Sequence, residues 1–566
     1  MKLSRAEISI LVFGAAFLAL LAAFFRPGRR VASERSRLVQ TVPASGDAGE
    51  PTALLSGFDY TESVGDKPLF RIRSDRTVGY GAGAGLPPNR YALERVALTV
   101  YPEDGPPVTV QADRAQYDDR TKAAILSGNV RWADPQDGAL GETEKLEFDP
   151  TKRILRAPMP LHFARGTFDA RASRGSYDVK SRVLSLSGPI QGSGTGQGSS
   201  GLSEISAESG EYRREEGIVE LASHVTATSA KGDRISCDRL LLKFSLEGNR
   251  LEWARAYGSV RGTIGSGGSR SGGRTYSADE GILYFDPAGD ARAINLVGTP
   301  ASIAEPKQQL AARSIDLDIA GGRPVSARAS GEVRLHSDRG DAESQRASAS
   351  FAGNGDFQTL ELEGDVRLEG EGRKGSANRV VDLPDRGVWI LTGNAERTAT
   401  VEENDSKVSA DRIEIDRNRS SLRAEGKARA VFVPQKDRPA EASSLLGDPS
   451  RPAYGKGDRI VLDRETRLAT LSGGASLWQD ASSLFADDIT LNDSEKSAVA
   501  VGKVRAVLVS ADASSGAKAR KGKEEPATIT ARRLIYRESE ATAVFEDGVS
   551  VIRGSWRATG ARGVAR

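Results

Sequence analysis

The sequence predicts an all-β fold of stacked repeats, a sandwich, jelly roll or solenoid, with a single transmembrane helix in front of it. One phrase recurs roughly every 30 residues, a spacing that is typical of repeat architectures. Many short segments alternate apolar and polar residues, which indicates strands with one buried face. A continuous apolar segment, Ile8–Phe25, lies near the N-terminus.

The repeated phrase consists of a small residue, Asp or Arg, an alternating strand, a turn, a second strand, a Gly and a short apolar strand. Clear copies are Ala112–Trp132 and Ala410–Val431. Within such copies Ile413 and Ile415 share one face of a strand, as do Leu360 and Leu362. No sustained amphipathic helical pattern follows the N-terminal segment, so we expect strands throughout the repeats.

The N-terminal segment is long enough for a membrane anchor. Eighteen apolar or small residues from Ile8 to Phe25 give about 27 Å of helix. We therefore expect a short cytoplasmic start at 1–7, a transmembrane helix at 8–25 and a polar linker at 26–52. A cleaved signal peptide is the alternative, but no small-x-small cleavage site stands beside Phe25.

The charges that flank this segment disagree with a position of the repeats outside the cytoplasm. Counting basic residues alone would leave the bulk of the chain in the cytoplasm. The basic residues that follow the apolar segment are Arg26, Arg29, Arg30, Arg35 and Arg37. Long domains are translocated largely regardless of flanking charge, so we treat this excess as a minor objection.

The composition argues against nucleic-acid binding and against an internal disulfide. The chain has 79 Lys and Arg against 77 Asp and Glu, and aromatic residues make up 6% of it. No basic stripe with interleaved aromatic residues is visible, so we expect no nucleic-acid partner. Cys237 is the single cysteine and is predicted to be a small buried apolar residue.

No residue pattern supports catalysis, a metal or a cofactor. The histidines, His162, His224 and His336, fall in different copies, so they are not expected to share a metal ion. No Gly-x-Ser-x-Gly stands between a strand and a helix. The recurrent aspartates lack the nonapeptide of calcium-binding repeats, so a strand-entry or turn role is predicted for Asp113, Asp279, Asp411 and Asp458.

The opening block resembles the periplasmic domain of the LptC family. The resemblance rests on Gly57–Thr61, Phe70–Asp75, Leu93–Tyr101, Val110–Tyr117 and Leu126–Val130, placed behind a single N-terminal apolar segment. Later copies resemble OstA/LptA-type repeats with the phrase Ala-Asp followed by Gly-x-Val. They lie at 408–433, 455–478, 484–509 and 529–552, and the middle, about 200 to 400, is the more degenerate part.

The resemblance implies a long repetitive β-jelly-roll/solenoid of the OstA/LptC type. It divides the chain into an LptC-like β-jelly roll at 53–200 and tandem OstA/LptA-like repeats at 201–566. It implies an inner-membrane, single-pass protein whose bulk is periplasmic and which binds lipopolysaccharide during outer-membrane biogenesis. The implied partners are an inner-membrane lipopolysaccharide ABC transporter and an LptA-type bridge or outer-membrane translocon joined by edge-strand pairing.

Two hypotheses differ in what fills the interior of the repeats. A lipid-transport protein would leave an apolar groove for acyl chains, whereas a structural or adhesive cell-envelope solenoid would fill the interior with its own side chains. A polysaccharide-degrading enzyme is a third class, which lacks support because no acid–base cluster is evident. The groove-lining residues predicted from the alternation are Val96, Leu98, Val100, Val108, Val110, Val130, Ile413 and Ile415.

Overall fold

The computed structural model of the chain describes fourteen segments of the repeats. They are 53–79, 89–166, 168–194, 202–229, 234–246, 250–264, 274–288, 290–320, 323–338, 340–352, 357–370, 372–433, 451–509 and 526–565. The predicted cytoplasmic start, transmembrane helix and linker lie outside these residues. Within the described segments, no helix is long and apolar enough to cross a membrane.

The described residues form 34 strands, which confirms the predicted all-β class. The strands up to residue 244 are β1 Ala53–Val64, β2 Lys67–Gly79, β3 Arg90–Val100, β4 Val108–Asp118, β5 Ala124–Asp134, β6 Ala139–Asp149, β7 Ile154–Ala157, β8 Leu161–Arg165, β9 Phe168–Ala172, β10 Arg174–Asp178, β11 Val183–Gly194, β12 Leu202–Arg213, β13 Ile218–Ser229 and β14 Arg234–Phe244. The next are β15 Leu251–Ile264, β16 Arg274–Phe285, β17 Ala291–Glu305, β18 Gln308–Ala320, β19 Arg323–Ser337, β20 Gly340–Phe351, β21 Phe357–Gly370 and β22 Arg373–Leu383. The remaining strands are β23 Val388–Thr392, β24 Ala399–Glu403, β25 Ser406–Ala410, β26 Arg412–Asp416, β27 Ser421–Phe432, β28 Ala453–Asp463, β29 Leu468–Gln479, β30 Ser482–Asn492, β31 Ser497–Leu508, β32 Ala527–Arg537, β33 Thr542–Arg553 and β34 Trp556–Ala565. Within the described segments, two single-turn 3-10 helices, Pro384–Arg386 and Glu538–Glu540, join strands.

The described residues divide into two compact units. The N-terminal unit contains the residues up to Pro306 together with Ser314–Pro324. The C-terminal unit contains Lys307–Arg313 and the residues from Val325 onward. The predicted division at residue 200 rests on sequence resemblance and is a different one; it stays a prediction.

Consecutive strands pair antiparallel within each unit. In the N-terminal unit β3 pairs with β2 on one side and with β4 on the other. In the C-terminal unit β28 pairs with β27 and β29 in the same way. Short strands arise where one rung of this ladder is interrupted, as at Pro158 and Pro160 between β7 and β8, because proline cannot donate a ladder hydrogen bond.

A bulge near the middle of the long strands explains the repeated phrase. On β4 Gln111 pairs with Arg131 and Arg114 pairs with Ser127, so two residues of β4 face three of β5. Gly128, in the bulge, has φ +79°, and a Cβ added to it would lie 2.9 Å from Oδ2 of Asp113. Such a conformation and such an approach favour glycine.

The aspartates of the phrase pair with the glycine segment of the next strand. Asn129 Nδ2 donates to Asp113 Oδ2 at 2.7 Å, and Thr299 Oγ1 donates to Asp279 Oδ2 at 2.9 Å. The predicted strand-entry or turn role is wrong for Asp113, which lies inside β4 at the bulge, whereas Asp411 stands at the entry to β26 as predicted. The two short strands predicted on either side of the glycine are likewise one continuous, bulged strand.

The bulge lets both halves of a strand bury their apolar residues on the same side. On β4 Val108, Val110 and Ala112 are buried, two exposed residues follow at the bulge, and Ala115 and Tyr117 are buried again. We call the half-strands that pair with Val108–Gln111 face I and those that pair with Arg114–Tyr117 face II. Trp132 of face I stacks on Tyr177 of face II at 4.8 Å between ring centroids, so the core of this unit lies between the two faces.

The C-terminal unit has the same construction. Its face I includes 406–410, 428–432 and 453–457, and its face II includes 412–416, 421–425 and 459–463. A Cβ added to Gly455 of face I would lie 2.8 Å from Cδ2 of Leu471 of face II. The strand ends farthest from the bulge form the rim of each face, and the opening between the two rims of a unit is called its mouth.

Candidate lipid-binding interior

The predicted lining residues of the N-terminal unit all point into its core. Val96, Leu98, Val100, Val108, Val110 and Val130 belong to one buried apolar cluster. Cross-strand pairing places Leu98 beside Ile72 on one side and Val110 on the other. Leu98 is 0% exposed, so neighbouring side chains cover it completely. The alternation therefore gave the correct inward register, while contact of these residues with a lipid stays a prediction.

Aromatic side chains fill the space between the faces of the N-terminal unit. Phe70 of face I meets Phe148 of face II edge-on at 5.2 Å between ring centroids. Trp132 lies so close to the neighbouring strand that a Cβ on Gly141 would stand 1.8 Å from its Nε1. Edge-to-face and offset ring pairs of this kind stabilise a fold by more than their buried area alone would. The interior is packed around these rings.

A buried polar network closes the mouth of the same unit. Asp134 ends β5 on face I and is 0% exposed, and Arg182, 4% exposed, reaches it from the turn after β10 on face II. Tyr177 Oη donates to the same carboxylate at 2.6 Å. Arg182 Nη2 also donates to the carbonyls of Asp104 and Pro106 on the rim of face I, at 3.2 Å each. Burial, and then the hydrogen bond with Asp134, raise the pKa of Tyr177 well above its ordinary value.

The interior is less filled where the C-terminal unit begins. On face I one row of cross-strand neighbours runs from β19 to β24. The row consists of Leu335, Ala342, Leu368, Gly375 and Val401. Its four side chains pack against the core cluster and are nevertheless only partly buried. Solvent therefore reaches inward-facing apolar atoms here, which it does not reach at Leu98.

Small residues cause this accessibility. On β20 the inward positions besides Ala342 are Ser344 of face I and Ala347 and Ala349 of face II, and on β22 the row itself contains Gly375. None of these residues is large enough to fill the space that Phe70, Trp132 and Tyr177 fill in the N-terminal unit. A partly buried apolar lining with small residues opposite it can accept a hydrocarbon chain.

An acidic residue interrupts the corresponding row of face II. Asp382 pairs across strands with Leu360 and Trp389 and is 6% exposed. Arg417 Nη2 donates to its Oδ1 at 3.0 Å, and Cζ of Arg417 lies 5.4 Å from the Trp389 ring centroid. Burial raises the pKa of Asp382 to about 6, although the Arg417 guanidinium acts in the opposite direction.

The remaining predicted residues lie on β26 of face II. Ile413 is fully buried, and Ile415, beside Trp389, is partly buried against the same cluster. On the strands that follow, the interior is closed again: Ile460, Leu471, Leu477 and Ile489 are each 0% exposed. The structure thus brings Ile413 and Ile415 together, whereas the five valines and the leucine described above lie in the other unit.

The three histidines lie apart from one another in the described segments. His162, His224 and His336 each pair with a carboxylate of the neighbouring strand. Among the described segments, no group of three His, Cys, Asp or Glu could hold a metal ion. Cys237 is buried as predicted, and burial raises the pKa of its thiol to about 11.

Sequence reasoning missed the accessible row of face I, although Leu368 was recognised as a strand residue. The alternation identifies inward positions but gives no weight to their size. A run of Ala, Ser and Gly at the inward positions of β20 and β22 is the signal that could have located it.

Two family models match the chain. The model for "Lipopolysaccharide-assembly, LptC-related" matches residues 15–195, which include the predicted block at about 55 to 190. The model for "LptA/(LptD N-terminal domain) LPS transport protein" matches residues 312–421 and 433–497. The second match includes residues 312–400 of the middle that the sequence marked as degenerate, and it does not extend to the predicted copy at 529–552.

One similar solved structure is LptH from Pseudomonas aeruginosa, described as the LptA homologous periplasmic component of the conserved lipopolysaccharide transport device. The two chains are 15% identical, the match covers 21% of this chain and 82% of that one, and the TM-score is 0.18. At that TM-score the likeness carries no argument, so the fold rests on the strand pairings above. No curated protein matches the chain.

Proposed function

Because the chain combines an LptC-related region with LptA-like repeats, we propose that it is a lipopolysaccharide-transport protein of the cell envelope. It shields the acyl chains in the apolar interior between face I and face II. It carries out no catalysis itself, and an inner-membrane lipopolysaccharide ABC transporter loads it. The N-terminal segment anchors it in the inner membrane as a single span, with the repeats in the periplasm.

The observation that carries the proposal is the partly buried row Leu335, Ala342, Leu368 and Val401. These side chains face inward, yet their own neighbours leave them accessible. Burial of hydrocarbon contributes about 0.8 kcal/mol for each CH₂. A twelve-carbon acyl chain would therefore gain roughly 10 kcal/mol before the cost of ordering it, which is enough to retain a lipid while still allowing displacement.

The edge of β34 supports docking of a further component. β34 pairs with β33 along one edge, and no described strand pairs with its other edge. Trp556 is 59% exposed and Val564 is 56% exposed. An exposed strand edge with apolar side chains is a template for strand addition, and the partner that we propose for it is an LptA-type bridge or the outer-membrane translocon.

A photo-crosslinking experiment in cells tests the transport function. A photo-reactive residue is placed at Leu368, which faces inward, and in a matched control at Arg367, its exposed neighbour on the same strand. We expect lipopolysaccharide to label the Leu368 position and not the Arg367 position. Absence of label at Leu368, with the protein folded and present in the membrane fraction, would reject acyl-chain shielding by this interior.

The packed interior of the N-terminal unit favours a second candidate, a structural cell-envelope β-solenoid without lipid cargo. Leu98 is covered by its neighbours, and the Asp134–Arg182 pair closes the mouth. A photo-reactive residue at Leu98 separates the two functions. Label at both Leu98 and Leu368 means that lipid enters the N-terminal unit as well, whereas label at neither position supports the structural solenoid.

A further inference from the structure

Two guanidinium groups converge on one carboxylate at the mouth of the C-terminal unit. Arg373 begins β22 and Glu403 ends β24, both on the rim of face I, and Arg373 Nε donates to Glu403 Oε1 at 3.1 Å. Arg464 stands on the turn after β28, on the rim of face II, and its Nη2 donates to Glu403 Oε2. The Glu403–Arg464 pair therefore crosses the mouth.

In this contact two guanidinium groups share one carboxylate. Glu403 is the carboxylate that both arginines contact, and the neighbouring Lys374 is paired with Glu369 at 3.1 Å. Burial, and then the positive charge of Arg373, lower the pKa of the Arg464 guanidinium. A second anion at this position would offset the repulsion between the two arginines.

Accessible apolar side chains lie directly below the cluster on both faces. Val401, two residues before Glu403, is an inward residue of face I and is partly buried. Leu462, two residues before Arg464, is an inward residue of face II and is also partly buried. The mouth thus places cationic groups above an apolar lining, which is the arrangement that an anionic amphiphile requires.

We propose that Arg373 and Arg464 bind the phosphate headgroup of an amphiphile whose acyl chains occupy the interior below them. Guanidinium groups bind phosphate with paired, charge-assisted hydrogen bonds. When no headgroup is present, the Glu403 carboxylate accepts hydrogen bonds from the same two guanidinium groups. Binding of the phosphate therefore displaces this carboxylate and breaks the Glu403–Arg464 pair that crosses the mouth. The inference rests on the proposed function, since it assigns the headgroup end of the same ligand.

The test uses the full-length chain in a neutral maltoside detergent, with a photo-reactive residue at Leu368. Lipid A and its dephosphorylated form are titrated separately, and the crosslinked fraction gives an apparent affinity for each. We expect Arg373→Gln or Arg464→Gln to weaken binding of lipid A roughly tenfold and to leave the dephosphorylated form unchanged. Glu403→Gln removes the competing anion and should strengthen binding of lipid A severalfold.

Arg459→Gln provides the matched control, because Arg459 lies on β28, is exposed and pairs outside with Glu425 at 3.3 Å. It should change neither affinity. The headgroup site is rejected if the arginine variants weaken both lipids equally, if Glu403→Gln weakens binding of lipid A, or if wild type binds both lipids with equal affinity. If neither lipid labels the wild-type chain, the proposed function itself fails, and this inference with it.

Discussion

Asp411 and Gly426 meet at the bulge, where the Asp411 side chain packs against the position that a Cβ of residue 426 would occupy. The amide of Asp411 donates to the carbonyl of Gly426 at 2.8 Å. Gly426 has φ +76°, and a Cβ added to it would lie 2.6 Å from Oδ2 of Asp411. Asp458 stands in the same relation to Gly473, and Asp487 to Gly502. The Asp and Gly of the repeated phrase therefore recur together because they pack against each other at the bulge.

Gly426→Ala should destabilise the strands around this bulge by about 2–4 kcal/mol, because a left-handed backbone and a clash with Asp411 both oppose the added methyl group. Hydrogen exchange of β26, β27 and β28 measures the local opening free energy. Gly372→Ala is the control, since Gly372 also has φ +76° but has no atom within 4 Å of an added Cβ. The Asp411→Ala, Gly426→Ala double variant should recover part of the loss; equal effects at Gly372 and Gly426 would show that the clash has no role.

Arg182→Met should destabilise the N-terminal unit by about 3–5 kcal/mol, because it leaves the Asp134 carboxylate buried beside Tyr177 without its cation. Denaturant unfolding followed by the fluorescence of Trp132, which stacks on Tyr177, reports the change. Arg131→Met removes an exposed pair with Glu142 and should cost under about 0.5 kcal/mol. Similar losses for the two variants would mean that the closed mouth contributes little.

Asp382 should make the C-terminal unit less stable as the pH rises. Its pKa is raised to about 6 in the folded chain from a model-peptide value near 4, so the folded state holds a proton that the unfolded state releases between about pH 4 and 6. Below about pH 4 Asp382 makes its full contribution of about 2–3 kcal/mol to the free energy of unfolding. This contribution is lost as the pH rises through 6.

Asp382→Asn should remove that part of the pH profile, measured by hydrogen exchange of β22 and β23 at a series of pH values. Arg417→Gln provides the directional check, because loss of the guanidinium raises the pKa of Asp382 further and moves the decline to higher pH. An unchanged profile in the Asn variant would contradict the assignment.

Ala342→Trp should block lipid uptake at the accessible row while leaving the fold intact. Ala342 lies between Leu335 and Leu368 across the strands, and an indole there would fill the space that the small side chain leaves. We expect the crosslinking of lipopolysaccharide at Leu368 to fall at least roughly tenfold, an energy of about 1.4 kcal/mol. Glu343→Trp, on the exposed side of the same strand, should have no effect; continued labelling in Ala342→Trp would place the lipid elsewhere.

Trp556→Lys should weaken binding of an LptA-type partner by roughly tenfold or more, because it replaces an exposed apolar side chain at a strand edge with a charge. A pull-down with the purified partner measures the affinity. Arg557→Lys keeps the charge at the adjacent position and should bind normally. Normal binding by Trp556→Lys would move the docking surface away from β34.

The sequence determined the strands and their inward sides. Alternation placed Val96, Leu98 and Ile413 correctly in the core, because a period of two residues follows from the geometry of an extended chain. The position of Asp113 was wrong, because a bulge depends on the register between two strands and one strand alone does not reveal it.

What only the tertiary structure decided is where the interior is full and where it is accessible. Leu98 and Leu368 carry the same side chain and both point inward, yet one is covered and the other is partly open. Rings from the opposite face, such as Phe148 and Tyr177, fill the N-terminal unit, whereas Ala342 and Gly375 leave room in the C-terminal unit. Packing density depends on which side chains meet across the interior, and residues far apart in the chain make those contacts.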